Sequence, residues 1–273
     1  MSFTLDRITK EYGSTVALAG VSFEARGAEF ISIVGPSGCG KTTLLKIIAG
    51  LVEPTSGTVT FRVIPSAVEE SPSRRGSLDS ARDDTTPRLR TALVFQDHGL
   101  LPWYDVLENV ALGLRFQTGD RAFALERARH FIESVGLGKF LHSRPHELSI
   151  GMRQRVGIAR AFVADPEILL LDEPFGSLDA QTRTVLQQEL LRIWRENRKL
   201  AVHVTHDIDE AILLSDRVLV MSGRPSRIRE ELAIPFARPR ELSVLDTPEA
   251  RAIHHRIWSI LEEEVREGLC VPS

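Results

Sequence analysis

Phe30-Ile-Ser-Ile-Val34, running straight into Gly35-Pro-Ser-Gly-Cys-Gly-Lys41-Thr42, is the stretch that decides how this chain is read. A short, mostly apolar run ends in a glycine-rich turn, and apolar residues then recur at Leu44, Leu45, Ile47 and Ile48 before Gly50. The first run predicts a buried strand, the recurrence predicts a helix over 41–50, and the glycines mark the loop between them. The spacing Gly35-x-x-x-x-Gly40-Lys41-Thr42 is that of a phosphate-binding loop. Glycines let such a backbone curl until its N–H groups point at phosphate oxygens, helped by the positive end of the following helix. Lys41 would neutralise the outer phosphates, and the Thr42 hydroxyl would ligate magnesium. The whole segment, with Gly35, Ser37, Gly38, Cys39, Gly40, Lys41, Thr42 and Thr43, is the candidate nucleotide cradle. Cys39 occupies a variable position of the pattern and has no expected catalytic role.

A second element complements the first. Ile168-Leu-Leu-Leu-Asp172-Glu173 is an apolar strand that ends in two carboxylates. In a parallel sheet such a strand delivers its last residues to the carboxyl edge, where the phosphate loop also lies. Asp172 can hold magnesium, directly or through water, and Glu173 can polarise an attacking water as general base. The blander reading is a surface acidic pair capping a helix, which Pro174 disfavours by breaking the chain there.

Around these elements, strands and helices alternate. Strands are expected in 3–34, broken by Gly13, Gly20 and Gly27, and at 91–95, 168–171, 200–205 and 217–221. Helical periodicity marks 105–116, 121–135, 149–163 and 180–198, and Thr247-Pro248 reads as a further helix start. Alternation of this kind implies an α/β domain with a mainly parallel sheet. Residues 62–90 interrupt it with Ser, Arg, Asp, Glu and Pro, the composition of a solvated, disordered and dispensable insertion. Its wording also resembles an in-frame translation of a mobile bacterial repeat; a lineage-specific loop is equally open.

Composition narrows the function. With 273 residues and a formal net charge of −3, the chain lacks the basic excess of nucleic-acid binders, so nucleic acid is not an expected partner. No run of about 18 apolar residues suggests a membrane span, and no signal peptide is visible. The two cysteines, Cys39 and Cys270, suit a reducing cytoplasm. His254 and His255 read as a solvated helix face rather than as metal ligands.

Further motifs follow in order. Gln96 succeeds the strand at 91–95. Leu148-Ser149-Ile150-Gly151-Met152-Arg-Gln-Arg155 precedes Asp172-Glu173-Pro174, then come Ser177-Leu178-Asp179 and Thr205-His206-Asp207. In this series the chain resembles the ATP-binding subunit of an ABC transporter over about residues 3–235. The segments 96–103, 151–160, 179–183 and 207–211, with Arg224-Pro225, resemble the nitrate/sulfonate/taurine importer branch. The resemblance implies a P-loop NTPase core with an N-terminal antiparallel β subdomain and a helical signature subdomain at 97–163. Residues 1–235 would form the ATPase domain, and 236–273 a C-terminal helical extension.

It also implies site roles. Tyr12 would stack on adenine, Gln96 would sense metal and water, and His206 would contact the γ-phosphate or the attacking water. Ser149 and Gly151 would close over ATP held by a second subunit, the complete site needing two copies, and Asp179, in the D-loop segment, is a further candidate nucleotide-binding residue. ATP and Mg2+ are the implied ligands. The implied partners are a second ATP-binding subunit, expected to be an identical chain, a membrane-spanning permease and, indirectly, a solute-binding protein. The implied location is the cytoplasmic face of a bacterial inner membrane. The stretch His98 to Trp103 is either core packing or one wall of a groove for the permease. One departure stands out: Ile150 occupies a position where the signature pattern carries glycine. It motivates the alternative of a catalytically impaired regulatory cassette. A soluble ATPase of DNA repair or translation is the other rival, and it would usually carry coiled-coil insertions or tandem cassettes.

Overall fold

The computed structural model describes residues 1–62, 90–97 and 99–269. The expected insertion, apart from its end residues Arg62 and Arg90, lies outside the described residues, as do His98 and Cys270.

The chain opens with β1 (Ser2–Tyr12) and β2 (Thr15–Arg26), followed by β3 (Phe30–Val34) and α1 (Lys41–Ile48). Next come β4 (Ser56–Arg62) and β5 (Thr91–Val94), then α2 (Val106–Thr118), α3 (Arg121–Ser134) and α4 (Ile150–Val163). The second half alternates β6 (Ile168–Asp172), α5 (Ala180–Asn197), β7 (Leu200–Thr205), α6 (Ile208–Leu214) and β8 (Arg217–Met221). It ends with β9 (Ile228–Ala233) and the long α7 (Pro248–Leu269). Among the described residues no helix is long and apolar enough to cross a membrane.

Two sheets result. The larger has strand order β5-β6-β7-β3-β8-β9 and is parallel except where β9 pairs antiparallel with β8. The smaller is antiparallel, in the order β2-β1-β4. The fold is therefore α/β with a mainly parallel sheet, an antiparallel β subdomain and a cluster of helices formed by α2, α3 and α4.

The strand pattern explains why the larger sheet is covered on both faces. Alternate residues of a strand point to opposite sides, so a strand buried on both reads as a continuous apolar run. Ile31 and Ile33 of β3, Ile168 and Leu170 of β6, and Val202 and Val204 of β7 share a core with α1 and the antiparallel sheet. Their neighbours Leu169 and Leu171 face the other way, onto residues of α4 and α5. Val218 and Val220 of β8 join Ile212 of α6 and Ile257 and Ile260 of α7 in a third cluster. The apolar stripe of α7 is thus buried on the domain.

Three details differ from the sequence expectation. Gly20 does not break a strand: β2 runs through it, and the register with β1 steps from Ile8 opposite Val21 to Thr9 opposite Ala19. The glycine, at φ +79°, is the extra residue of a bulge. Both end residues of the expected insertion are ordered: Arg62 closes β4, and the Arg90 N–H donates to the Glu167 carboxylate at 3.0 Å. Two strands, β4 and β9, lacked any apolar run to announce them, because each is largely exposed and held by backbone pairing at a sheet edge.

Candidate active site

β3 delivers the phosphate loop to the carboxyl edge of the parallel sheet, and α1 departs from it. Gly35 is confined: a Cβ there would lie 2.8 Å from Cys39 Sγ and 3.1 Å from Met221 Cβ. Strand β8 therefore walls the loop from one side, and only glycine lets it turn so closely. Ala17 and Leu18 of β2 wall it from another side, against Gly40. The Lys41 ammonium, 5% exposed, donates to the carbonyls of Gly35 and Pro36 at 2.8 and 3.1 Å. Ser37 and Gly38 are exposed, Thr43 is half-buried and Cys39 is buried. Burial pushes the Cys39 thiol up, so it is a poor nucleophile at neutral pH.

β6 ends beside this loop. The Thr42 hydroxyl donates to Asp172 Oδ1 at 2.9 Å, joining two sequence candidates that lie 130 residues apart. Asp172 is 9% exposed, and burial pushes its carboxyl above the ordinary range. The Thr42 hydrogen bond opposes that shift, and the charge of Glu173 adds to it. Hydroxyl and carboxylate together form an oxygen pair of the type magnesium takes when phosphates and waters complete its shell. Among the described residues no three His, Cys, Asp or Glu side chains gather into an all-protein metal cage. The donor set therefore fits a cation that is shared with a bound phosphate.

Glu173 turns in the opposite direction from its neighbour. Its backbone adopts φ +45°, a left-handed conformation that costs a non-glycine residue roughly 1–3 kcal/mol. Two bonds hold it there: Glu173 N–H to the Val204 carbonyl at 2.9 Å, and Gly176 N–H to the Glu173 carbonyl at 3.2 Å. The carboxylate then meets His206, with Oε2 at 3.1 Å from the imidazole Nδ1. Gln96 completes this group. A Cβ added at Gly176 would lie 3.7 Å from Glu173 Oε2 and 3.9 Å from Gln96 Nε2, so the amide and carboxylate flank one point. Lys41, Thr42, Asp172, Glu173, His206 and Gln96 thus converge on one edge of the sheet.

The signature residues occupy a different place. Ser149 caps α4 by accepting from the Met152 N–H at 3.2 Å, and Asp179 caps α5 by accepting from the Thr182 N–H at 3.0 Å. That bond, with others from nearby backbone N–H groups, holds the Asp179 carboxyl below its usual value. Gly151 lies against α5, where an added Cβ would sit 2.8 Å from Thr182 Cγ2. Ile150 is 45% exposed. Tyr12 stands at the end of β1, 51% exposed, with the Lys10 ammonium 5.1 Å from its ring centre.

Several supporting residues went unrecognised in the sequence. Asn109, fully buried in α2, accepts from the Leu101 N–H and donates to the carbonyls of Leu101, Tyr104 and Asp105. This one amide fixes the loop that leaves Trp103 63% exposed. Leu100, by contrast, packs on the core. Beneath His206, buried His203 pairs through Nε2 with Glu210 Oε1 at 2.8 Å and contacts Ser32 Oγ through Nδ1 at 3.1 Å. The Thr205 hydroxyl donates to the second Glu210 oxygen at 3.3 Å. Asp207 and Glu210 have the spacing of a helix capping box, which was a readable signal. Arg183, on α5, reaches Asp207 at 3.0 Å.

A sequence profile described as ABC transporter matches residues 18–176. The chain belongs to the ABC transporter family. It is the ATP-hydrolysing cassette of that family. The chain is 44% identical over 232 residues to the nitrate import ATP-binding protein NrtD of Synechococcus elongatus, covering 84% of this chain and 78% of that one. It is 42% identical over 228 residues to the taurine import ATP-binding protein TauB of Yersinia pestis, covering 84% and 82%. Two solved structures of the bacterial cassette MJ0796 superpose with TM-score 0.70 at 32% identity. They cover 86% of this chain and 100% of that one. One is described as dimeric, the other as a dimeric post-hydrolysis state bound to ADP and Pi.

Two further histidines, on α7, lie at the surface. His254 lies 3.7 Å from Asp209 and is half-exposed, and His255 is exposed.

Proposed function

We propose that this cassette energises the import of a small solute of the nitrate, sulfonate or taurine class. It would sit peripherally on the cytoplasmic face of a bacterial inner membrane, under a membrane-spanning permease supplied by a solute-binding protein. The importer names of its relatives support the solute class, and the dimeric cassette neighbours support a working pair of ATPase subunits. Residues 1–235 would form the ATPase domain and 236–273 its C-terminal extension.

The observation that carries the enzymatic reading is the Glu173–His206 contact at 3.1 Å beside the Thr42–Asp172 pair. ATP would lie with its phosphates in the curl of Gly35 to Thr43 and its adenine against Tyr12. Lys41, already paired with loop carbonyls, would exchange them for β- and γ-phosphate oxygens. Thr42 and Asp172, with Gln96 nearby, would hold Mg2+, which when bound neutralises charge on the outer phosphates. Glu173 would orient and deprotonate the attacking water, and His206 would fix that carboxylate and contact the γ-phosphate. Ser149, Gly151 and Asp179 would serve the nucleotide of the second subunit, with the α4 N-terminus directed at its γ-phosphate.

Exposed Trp103, held by the Asn109 scaffold directly after the Gln96 loop, supports the permease groove over simple core packing. The exposed Ile150 side chain leaves the Ser149 cap and the Gly151 approach intact, which favours an active cassette over an impaired one. The decisive experiment is co-purification with the permease and binding protein, followed by ATPase assays with nitrate, sulfonates and taurine. Stimulation by one class identifies the cargo, and no magnesium-dependent hydrolysis under any condition would sink the reading.

A further inference from the structure

Arg183 lies on α5, one turn beyond Asp179, and touches two separate loops of the site. Its Nη1 donates to Asp207 Oδ2 at 3.0 Å, and its Nη2 donates to the Leu178 carbonyl at 3.2 Å. Asp207 follows His206 directly. Its other oxygen accepts from the Glu210 N–H at 3.1 Å, and its own N–H donates to the Thr205 hydroxyl at 3.1 Å. The imidazole of His206 is thus carried on a turn whose buried side is anchored by Thr205 and Glu210. Its side towards α5 is anchored by Arg183.

We propose that Arg183 is a positioning residue. Through Asp207 it keeps His206 in register with Glu173, and through Leu178 it ties that register to the loop at 177–179. The inference rests on the reading that Glu173 and His206 perform hydrolysis. Geometry explains the choice of arginine: one planar guanidinium donates along two directions at once, which a lysine ammonium on a flexible stem does not reproduce. Magnitudes separate this role from a merely stabilising one. Both partners are about a third exposed, at 32% and 29%, and an ion pair so exposed to solvent contributes little to folding. A displacement of a catalytic group by about 1 Å, in contrast, costs on the order of 100-fold in rate.

The test uses the full-length chain assembled with its membrane subunit, with thermal melting recorded for every variant. Arg183→Met should lower kcat by roughly 10- to 100-fold while KM for ATP stays within about twofold, since neither Arg183 bond reaches the phosphate loop. Arg183→Lys should recover part of the loss. Asp207→Asn, which retains a helix cap, should reproduce it without altering Arg183. The double variant should be no slower than either single, as expected of residues acting through one link. Undiminished kcat in folded Arg183→Met, or losses that multiply in the double variant, would overturn the proposal. His206→Ala is the control on the underlying reading. If it hydrolyses ATP normally, the reading and the proposal both fall; if it is slow while Arg183→Met is not, only the proposal does.

Discussion

The carboxyl edge of the parallel sheet and the start of α4 both carry candidate ATP-site residues, yet they are assembled differently. At the sheet edge the side chains find partners in distant parts of the same chain: Thr42 with Asp172, Glu173 with His206, and Lys41 with its own loop. At the start of α4, Ser149 bonds only within its own turn, Ile150 is exposed, and Gly151 is braced from behind by Thr182 of α5. The first region is a set of candidate catalytic side chains already gathered by one fold. The second is a supported helix terminus, suited to meet a nucleotide that another subunit holds. On the proposed reading, a cassette built this way would bind ATP alone and complete its site by pairing.

The sharpest way to break this comparison is Glu173→Gln. It keeps the shape of the sheet-edge group and removes its base, so ATP hydrolysis should fall by about 100- to 10,000-fold while ATP binding persists. Size-exclusion chromatography with ATP should then show an accumulated dimer; a monomer that binds ATP would contradict the division of labour between the two regions.

Gly151→Ala attacks the other region. The new methyl collides with Thr182 Cγ2, and forcing α4 away from α5 should cost roughly 1–3 kcal/mol of packing and about tenfold in hydrolysis. Adding Thr182→Ser removes the colliding methyl and should recover most of the activity. Failure of that rescue would show that Gly151 is needed for close approach to the nucleotide instead.

Asp172 supplies a pH signature of the sheet edge. Burial raises its carboxyl above the ordinary value. A raised carboxyl favours the folded chain below its unfolded value, and that advantage is lost as pH rises through the window between the two. At neutral pH without nucleotide, Asp172→Asn should therefore melt higher, by about 2–4 °C for each kcal/mol of relief in a chain of this size. Its magnesium affinity should be weak at every pH, whereas the native affinity should begin to fall on acidification at a higher pH than for an exposed carboxylate. Calorimetric melts from pH 4 to 8 and magnesium titrations check both halves.

The smallest effect is expected at Ile150. Because its side chain is exposed, Ile150→Gly should change kcat by no more than about twofold and lower stability by about 1 kcal/mol through helix propensity. A large gain in activity would mean that the isoleucine obstructs the second subunit's nucleotide.

Much of the framework was legible because local patterns and tertiary demands agreed. Strands β7 and β8 match the expected 200–205 and 217–221 to the residue, and α4 and α5 begin within one residue of the starts expected from helical periodicity, where Ser149 and Asp179 cap them. Legibility failed where structure rests on pairing instead of burial. β4 and β9 alternate or expose their side chains, and the bulge at Gly20 depends on how β2 meets β1. It failed also for buried polar residues. Nothing in the local sequence distinguishes Asn109 from a solvated helix residue until the loop at 101–105 folds over it.

The sequence by itself determined the chemistry available to this protein: the phosphate loop, the carboxylates at the end of β6, and the histidine after β7 are fixed by residue type and spacing. Only the tertiary structure decided which of them meet. The Thr42–Asp172 pair, the left-handed turn that aims Glu173 at His206, and the Arg183 bridge all join residues that the sheet order brings side by side. Chain spacing encodes local backbone geometry, whereas these contacts depend on β6, β7 and β3 being neighbours in one sheet.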